Sequence, residues 1–174
     1  MLTMRRAGLA AAGVCVVALV AAAISWAGPG SRQVQMLDNC DGPSFNAAVG
    51  PGTCTRSSGL TFQKFFSALA RGGAPSWRNS PGQLKLNAGG TITAPNRGGE
   101  FHTFTRVAAF GGGCIAPLNA ALGLTPVPEC AIPGILATTG AGPGGTVKTG
   151  SLAAGTYRFQ CLIHPWMKTT VTVG

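Results

Sequence analysis

Histidine and acid are the scarce residues of this chain: two histidines, His102 and His164, and four carboxylate side chains in 174 residues, against 13 lysines and arginines. That inventory excludes much. A structural zinc site needs four nitrogen or sulfur ligands, usually in paired spacing, and no such pairing occurs. The C-x-x-C-H signature of covalently held haem is absent. Neither histidine is accompanied by a nucleophile-elbow sequence, so a serine-type triad has no footing. Oxidase centres built from several metals need many more imidazoles. Enzyme readings are therefore cut off by what the chain does not contain. No basic run exists either: the cations from Arg32 to Lys168 stand singly, with little aromatic interleaving. A solvated basic surface is the plain reading, and no nucleic-acid partner is expected. There is no internal repeat, and with 27 Gly and 12 Pro no long amphipathic helical pattern dominates.

What is present begins with a targeting segment. Arg5 and Arg6 precede an uncharged, Ala/Val/Leu-rich run, and Ser25-Trp26-Ala27 places small residues where a leader is cut. This is the build of a secretory signal peptide over residues 1–27. The apolar stretch from Ala7 to Ile24 is also just long enough to span a bilayer, so an uncleaved anchor stays open. Either way the rest of the chain is expected outside the cytoplasm: periplasmic, extracellular, or held on the outer face of the membrane. A membrane contact is expected only through that anchor. Without the leader the net charge falls from +9 to +7. Cys15 lies inside the apolar run and reads as filler.

The remaining five cysteines are Cys40, Cys54, Cys114, Cys130 and Cys161. Export favours disulfides, and an odd count leaves one thiol over. Four cysteines allow three pairings; local spacing favours Cys40–Cys54 and Cys114–Cys130, each worth about 3 kcal/mol by restricting the unfolded chain. Cys161 is then the free thiol.

Three regions follow. Residues 28–83 read as an extension with a short strand at Val34–Leu37, a Gly/Pro-rich loop between Cys40 and Cys54, and one helix from Thr61 to Arg71. Thr61 is its candidate cap, and Phe62, Phe65, Phe66 and Leu69 share a face. From Leu84 the hydrophobic period becomes two. Strands are expected at 84–86, 91–94, 100–107, 146–152, 156–161 and 169–173, with a proline-broken insertion at 111–145. Short alternating strands between turns predict an all-β sandwich over residues 84–174.

Near the end stands FQCLIHPWM, in which a thiol, an imidazole and a thioether are spaced three apart at Cys161, His164 and Met167. A lone C-x-x-H is common, and a strand thiol, a core methionine and a satisfied core histidine would each be ordinary. Together with His102 at a strand start, however, they make up two imidazoles, one thiolate and a weak axial thioether. That is the donor set of a mononuclear copper site. Thiolate bonds copper covalently, neutral imidazoles suit both oxidation states, and a long axial sulfur keeps the geometry between their preferences.

The stretch GTYRFQCLIHPWMKTTVTV resembles the last two strands and ligand loop of the cupredoxins, the blue copper proteins. Its C-x-x-H-x-x-M spacing is similar to the amicyanin and plastocyanin type. LKLNAGGTITAPNRGGEFHTFT resembles the strand–turn–strand that delivers the family's first histidine. The resemblance implies a Greek-key sandwich, one copper ion held by His102, Cys161, His164 and Met167, and one-electron transfer. Two departures have consequences. Thr103 stands where the family commonly has an Asn that helps hold the ligand loop, so that role falls to a hydroxyl or is lost. Ile163 replaces a proline two residues after the cysteine, and its N–H is expected to reach the Cys161 sulfur. The family's exposed histidine edge would put His164, Pro165 and Trp166 on an apolar patch for weak, transient contact with redox proteins.

Two other classes remain: a copper carrier or store without a redox circuit, and a metal-free, disulfide-stabilised interaction domain. A carrier needs exchange and would show exposed Met/His clusters, which this chain lacks.

Overall fold

A computed structural model describes residues 29–174; the expected leader at 1–27 lies outside them. Strands β1 (Ser31–Gln33) and β2 (Gln35–Leu37) open the fold, followed by helices α1 (Gly42–Ala48) and α2 (Phe62–Leu69). Then come β3 (Arg78–Ser80), β4 (Gln83–Leu86), β5 (Thr91–Pro95), β6 (His102–Thr103) and β7 (Thr105–Val107). The insertion carries α3 (Ala116–Leu122), a 3-10 turn at Pro128–Ala131, α4 (Ile135–Thr138) and β8 (Gly140–Ala141). Strands β9 (Thr146–Lys148), β10 (Gly155–Gln160) and β11 (Lys168–Val173) complete it.

The larger sheet has the order β4-β11-β10-β7 and the facing one β1-β5-β9. Alternation explains both. In β11, Thr169, Val171 and Val173 are buried while Lys168 and Thr172 are exposed, the period of a strand with one dry face. Ile92 and Ala94 of β5 meet Phe159, Val171 and Val173 in one buried cluster, which makes the two sheets a sandwich. Phe104 and Phe159 stack with ring centroids 4.5 Å apart inside it.

Residues 29–83 enter that same core. Strand β1 pairs in parallel with β5, and β4 with β11. Phe45, Phe65, Leu69 and Trp77 belong to the sandwich cluster. Burying each of these large side chains contributes about 1.5–3 kcal/mol. Helix α2 falls where the sequence places it, with Phe65 and Leu69 buried and Phe66 left 49 % exposed.

Among the described residues the single helix expected from the sequence is joined by three other α-helices. Helix α1 occupies the stretch read as a Gly/Pro loop, because Asp41 accepts the Ser44 N–H and Pro43 sits in the first turn, where no N–H is needed. Helices α3 and α4 lie in the insertion. Both disulfides form as the spacing implies, Cys40–Cys54 and Cys114–Cys130, leaving Cys161 free and buried. Among the described residues no helix is long and apolar enough to cross a membrane.

Candidate metal centre

The loop between β10 and β11 is closed by its own backbone. Cys161 N–H donates to the Met167 carbonyl (3.0 Å) and Met167 N–H to the His164 carbonyl (2.9 Å), so three candidate ligands leave one tight turn. Cys161 and Met167 are fully buried, as is Leu162 between them. The insertion clamps the loop from outside: Cys114 N–H donates to the Leu162 carbonyl at 2.6 Å. That approach requires glycine beside it, since a Cβ on Gly113 would lie 2.2 Å from the same oxygen.

His102 arrives from β6, which pairs with β8. Its Nδ1 lies 3.9 Å from Cys161 Sγ, and His164 Nδ1 lies 3.9 Å from the same sulfur. One ligand atom each from His102, Cys161 and His164 lie within 4.8 Å of one another, all three residues buried. This is the spacing of groups able to share one ion.

Each imidazole has a carboxylate beyond it. Asp38, directly after β2, has an oxygen 2.8 Å from His102 Nε2, with both side chains fully buried. It also accepts backbone N–H groups from Cys40 (3.2 Å), Gly99 (2.9 Å) and Glu100 (3.0 Å). Burial pushes its carboxyl up, but the His102 hydrogen bond and the N–H groups of Gly99 and Glu100 prevail and hold it well below the carboxylate range. As an anion Asp38 requires a proton on Nε2, which turns Nδ1 toward the Cys161 sulfur. Gly98 makes room: a Cβ there would lie 1.9 Å from the Asp38 oxygen. Glu100 stands 3.7 Å from His164 Nε2 and accepts the Trp77 indole N–H. Burial raises its carboxyl above the ordinary value, opposed by His164 and Trp77.

Burial alone would raise the Cys161 thiol, but both histidines outweigh it and draw the group far down, toward thiolate. Burial likewise disfavours a charged His102, yet its bonds to Asp38 and Cys161 lift it to about 9.

Thr103 lies where its hydroxyl can hold the loop: Oγ1 accepts the Leu162 N–H at 2.8 Å and a hydrogen bond from Thr105 at 3.0 Å. Thr103→Val would leave the buried Leu162 N–H without an acceptor, an expected loss of about 1–3 kcal/mol. Thr103→Ser should restore most of it. Urea denaturation of the three proteins is the check, and a Val variant as stable as the parent would contradict the role.

Two expectations are corrected. The Cys161 sulfur receives two backbone N–H groups, from Thr103 and His164, each at 3.4 Å. The loop donor is thus His164; among the described residues Ile163 N–H makes no bond to the sulfur. The turn closed by Met167 aims the third N–H after the cysteine, not the second, back at it. Nor does His164 present an exposed edge. It is 3 % exposed, with Pro165 buried and Trp166 half-buried. The rings of Phe65 and Trp77 lie 6.0 and 6.3 Å from its own, and Trp166 donates its indole N–H to the Ala74 carbonyl. The cover comes from Phe65, Ala74 and Trp77, far upstream of the ligand loop. Asp38 and Glu100 escaped the sequence reading; the only signal was that two of the chain's four acids stand beside a strand end and beside His102.

No protein-family model matches the chain, and no curated protein matches it. Among solved structures, a purple cupredoxin from Nitrosopumilus maritimus is 15 % identical, with a TM-score of 0.41 over 82 % of this chain and 98 % of that one. A single-site amicyanin variant with Cu(I) is 21 % identical, with a TM-score of 0.37 over 58 % and 76 %. A second, reduced amicyanin variant gives 22 % and 0.37 over the same shares. Likenesses of this grade assign no activity and place no residue. By its own strands and by the loop joining the last two, the fold is an all-β, cupredoxin-like sandwich.

Proposed function

We propose that the chain is a type 1 copper protein that carries single electrons outside the cytoplasm, without being an enzyme. The observation that carries this reading is the convergence of two imidazole Nδ1 atoms on one buried thiol, all within 4.8 Å. The donors fit the ion: a sulfur drawn toward thiolate, two oriented imidazoles, and Met167 buried in the same closed turn. Copper bound there would supply a one-electron couple.

The residues around the site do the rest. Asp38 fixes the tautomer and orientation of His102. The Thr103 and His164 N–H groups withdraw charge from the sulfur, which favours the reduced state, while Asp38 and Glu100 favour the oxidised one. Phe65, Trp77 and Leu162 pack around the site and shield it from bulk water. A cage tied down by its strands, the disulfide-bearing insertion and α2 rearranges little, and a small rearrangement makes transfer fast. Such burial suits an electron carrier better than a store that must release its ion. The leader-like 1–27 and two disulfides support export, since such bonds persist in oxidising compartments.

Reductive titration tests the reading. The mature, copper-loaded protein should show strong visible absorption that bleaches with one electron per copper and returns on oxidation. A protein that binds copper without colour, or whose colour ignores reductant, would overturn it.

A further inference from the structure

A cavity of about 290 Å³ lies between α1, α2 and the start of α3. Phe45, Phe62 and Phe65 form one lining; Ile115 and Leu118 contribute another. Its buried end carries Glu100 and His164, 6 % and 3 % exposed. Its rim carries Val49 and Phe66, 60 % and 49 % exposed, so the opening is itself apolar. We propose that this cavity is a binding site for a small, uncharged aromatic molecule bearing one hydroxyl, a simple phenol, with its ring among the phenylalanines and its hydroxyl on Glu100.

Size sets the first limit. An apolar cavity of roughly 150 Å³ holds benzene, so this one accepts a single ring with substituents and is at the lower edge of small-molecule pockets. Lining chemistry sets the second. Aromatic walls favour a flat ring in edge or offset contact, already the arrangement of Phe45 with Phe62 and Phe65 at 5.3 Å. The polar end sets the third. Trp77 occupies one Glu100 oxygen, and no hydrogen bond to the other is present among the described residues. A hydroxyl donor satisfies that carboxyl; an anionic ligand would face it directly, and a ligand with no donor would leave it unpaired. Phe65 of α2 thus both covers His164 and walls a hole of one-ring size. The site does not depend on a bound metal, so its failure and that of the copper reading are separate results.

The experiment is a titration of the mature chain, with and without copper, using 4-methylphenol and toluene while following the NMR signals of Phe45, Phe65, Leu118 and Trp77. Saturable shifts confined to these residues are expected, with 4-methylphenol about 2- to 10-fold tighter than toluene, the value of one net hydrogen bond. Leu118→Trp should fill the cavity and abolish the shifts. Val49→Trp, at an exposed position that cannot unsettle the core, should block the rim and give the same loss. Binding that survives both plugs, shifts elsewhere, or no saturation overturns the proposal. So does tighter binding of N-acetyltyrosine amide than of 4-methylphenol, which would mark the cavity as a socket for a partner protein's tyrosine.

Discussion

Replacing Asp38 with alanine is expected to destabilise the protein by about 3–5 kcal/mol, the usual consequence of removing one partner from a buried charged pair. Asp38 is the acceptor for three backbone N–H groups and for His102 Nε2, with its side chain fully shielded from water. The alanine leaves four donors facing a void. Set against the 5–15 kcal/mol that holds a typical domain folded, this is a large fraction. The effect should appear as a lower denaturation midpoint at unchanged slope. Asp38→Asn keeps one acceptor oxygen and the side-chain volume but loses the charge, so an intermediate loss is expected. In the Asn variant the proton on His102 Nε2 is no longer enforced, and copper affinity should fall 10- to 100-fold. A change below about 1 kcal/mol in Asp38→Ala, or unaltered copper affinity in both variants, would remove Asp38 from the account.

The second large effect belongs to Cys161. Cys161→Ser should abolish the visible absorption, because the strong bond of such a site is the one to thiolate, and a serine hydroxyl stays protonated. Met167→Leu should keep the colour, since the axial sulfur is weakly held and leucine conserves the volume. The pair separates ligand from filler: both residues are fully buried, so loss of packing alone would not distinguish them. A coloured Cys161→Ser protein would sink the ligand assignment.

Much of the sandwich is legible in the chain because a strand with one dry face writes its period directly. Thr169, Val171 and Val173 alternate with exposed neighbours, and the bounds of β4, β5, β10 and β11 follow within a residue or two. The Cys-His-Met loop is legible for the same local reason: three ligand types within seven residues need no knowledge of the rest. The disulfides are legible because export and short loops leave few choices.

What escapes the sequence is long-range. Asp38 meets His102 across 64 residues, and nothing near either one announces the other. The burial of His164 comes from Phe65 and Trp77, far upstream, so a reading of the loop alone finds an exposed edge. Sequence spacing puts the donor to the sulfur one residue early, because spacing fixes reach while the direction of an N–H depends on the turn that Met167 closes. Helix α1 was hidden by its Gly and Pro, which in its first turn start a helix rather than break one.

X-ray absorption at the copper edge of the loaded, oxidised mature protein tests the central claim most directly. One short sulfur neighbour and two nitrogen neighbours are expected at each copper, with the short sulfur gone in Cys161→Ser. A shell of nitrogen and oxygen alone in the parent protein would contradict it.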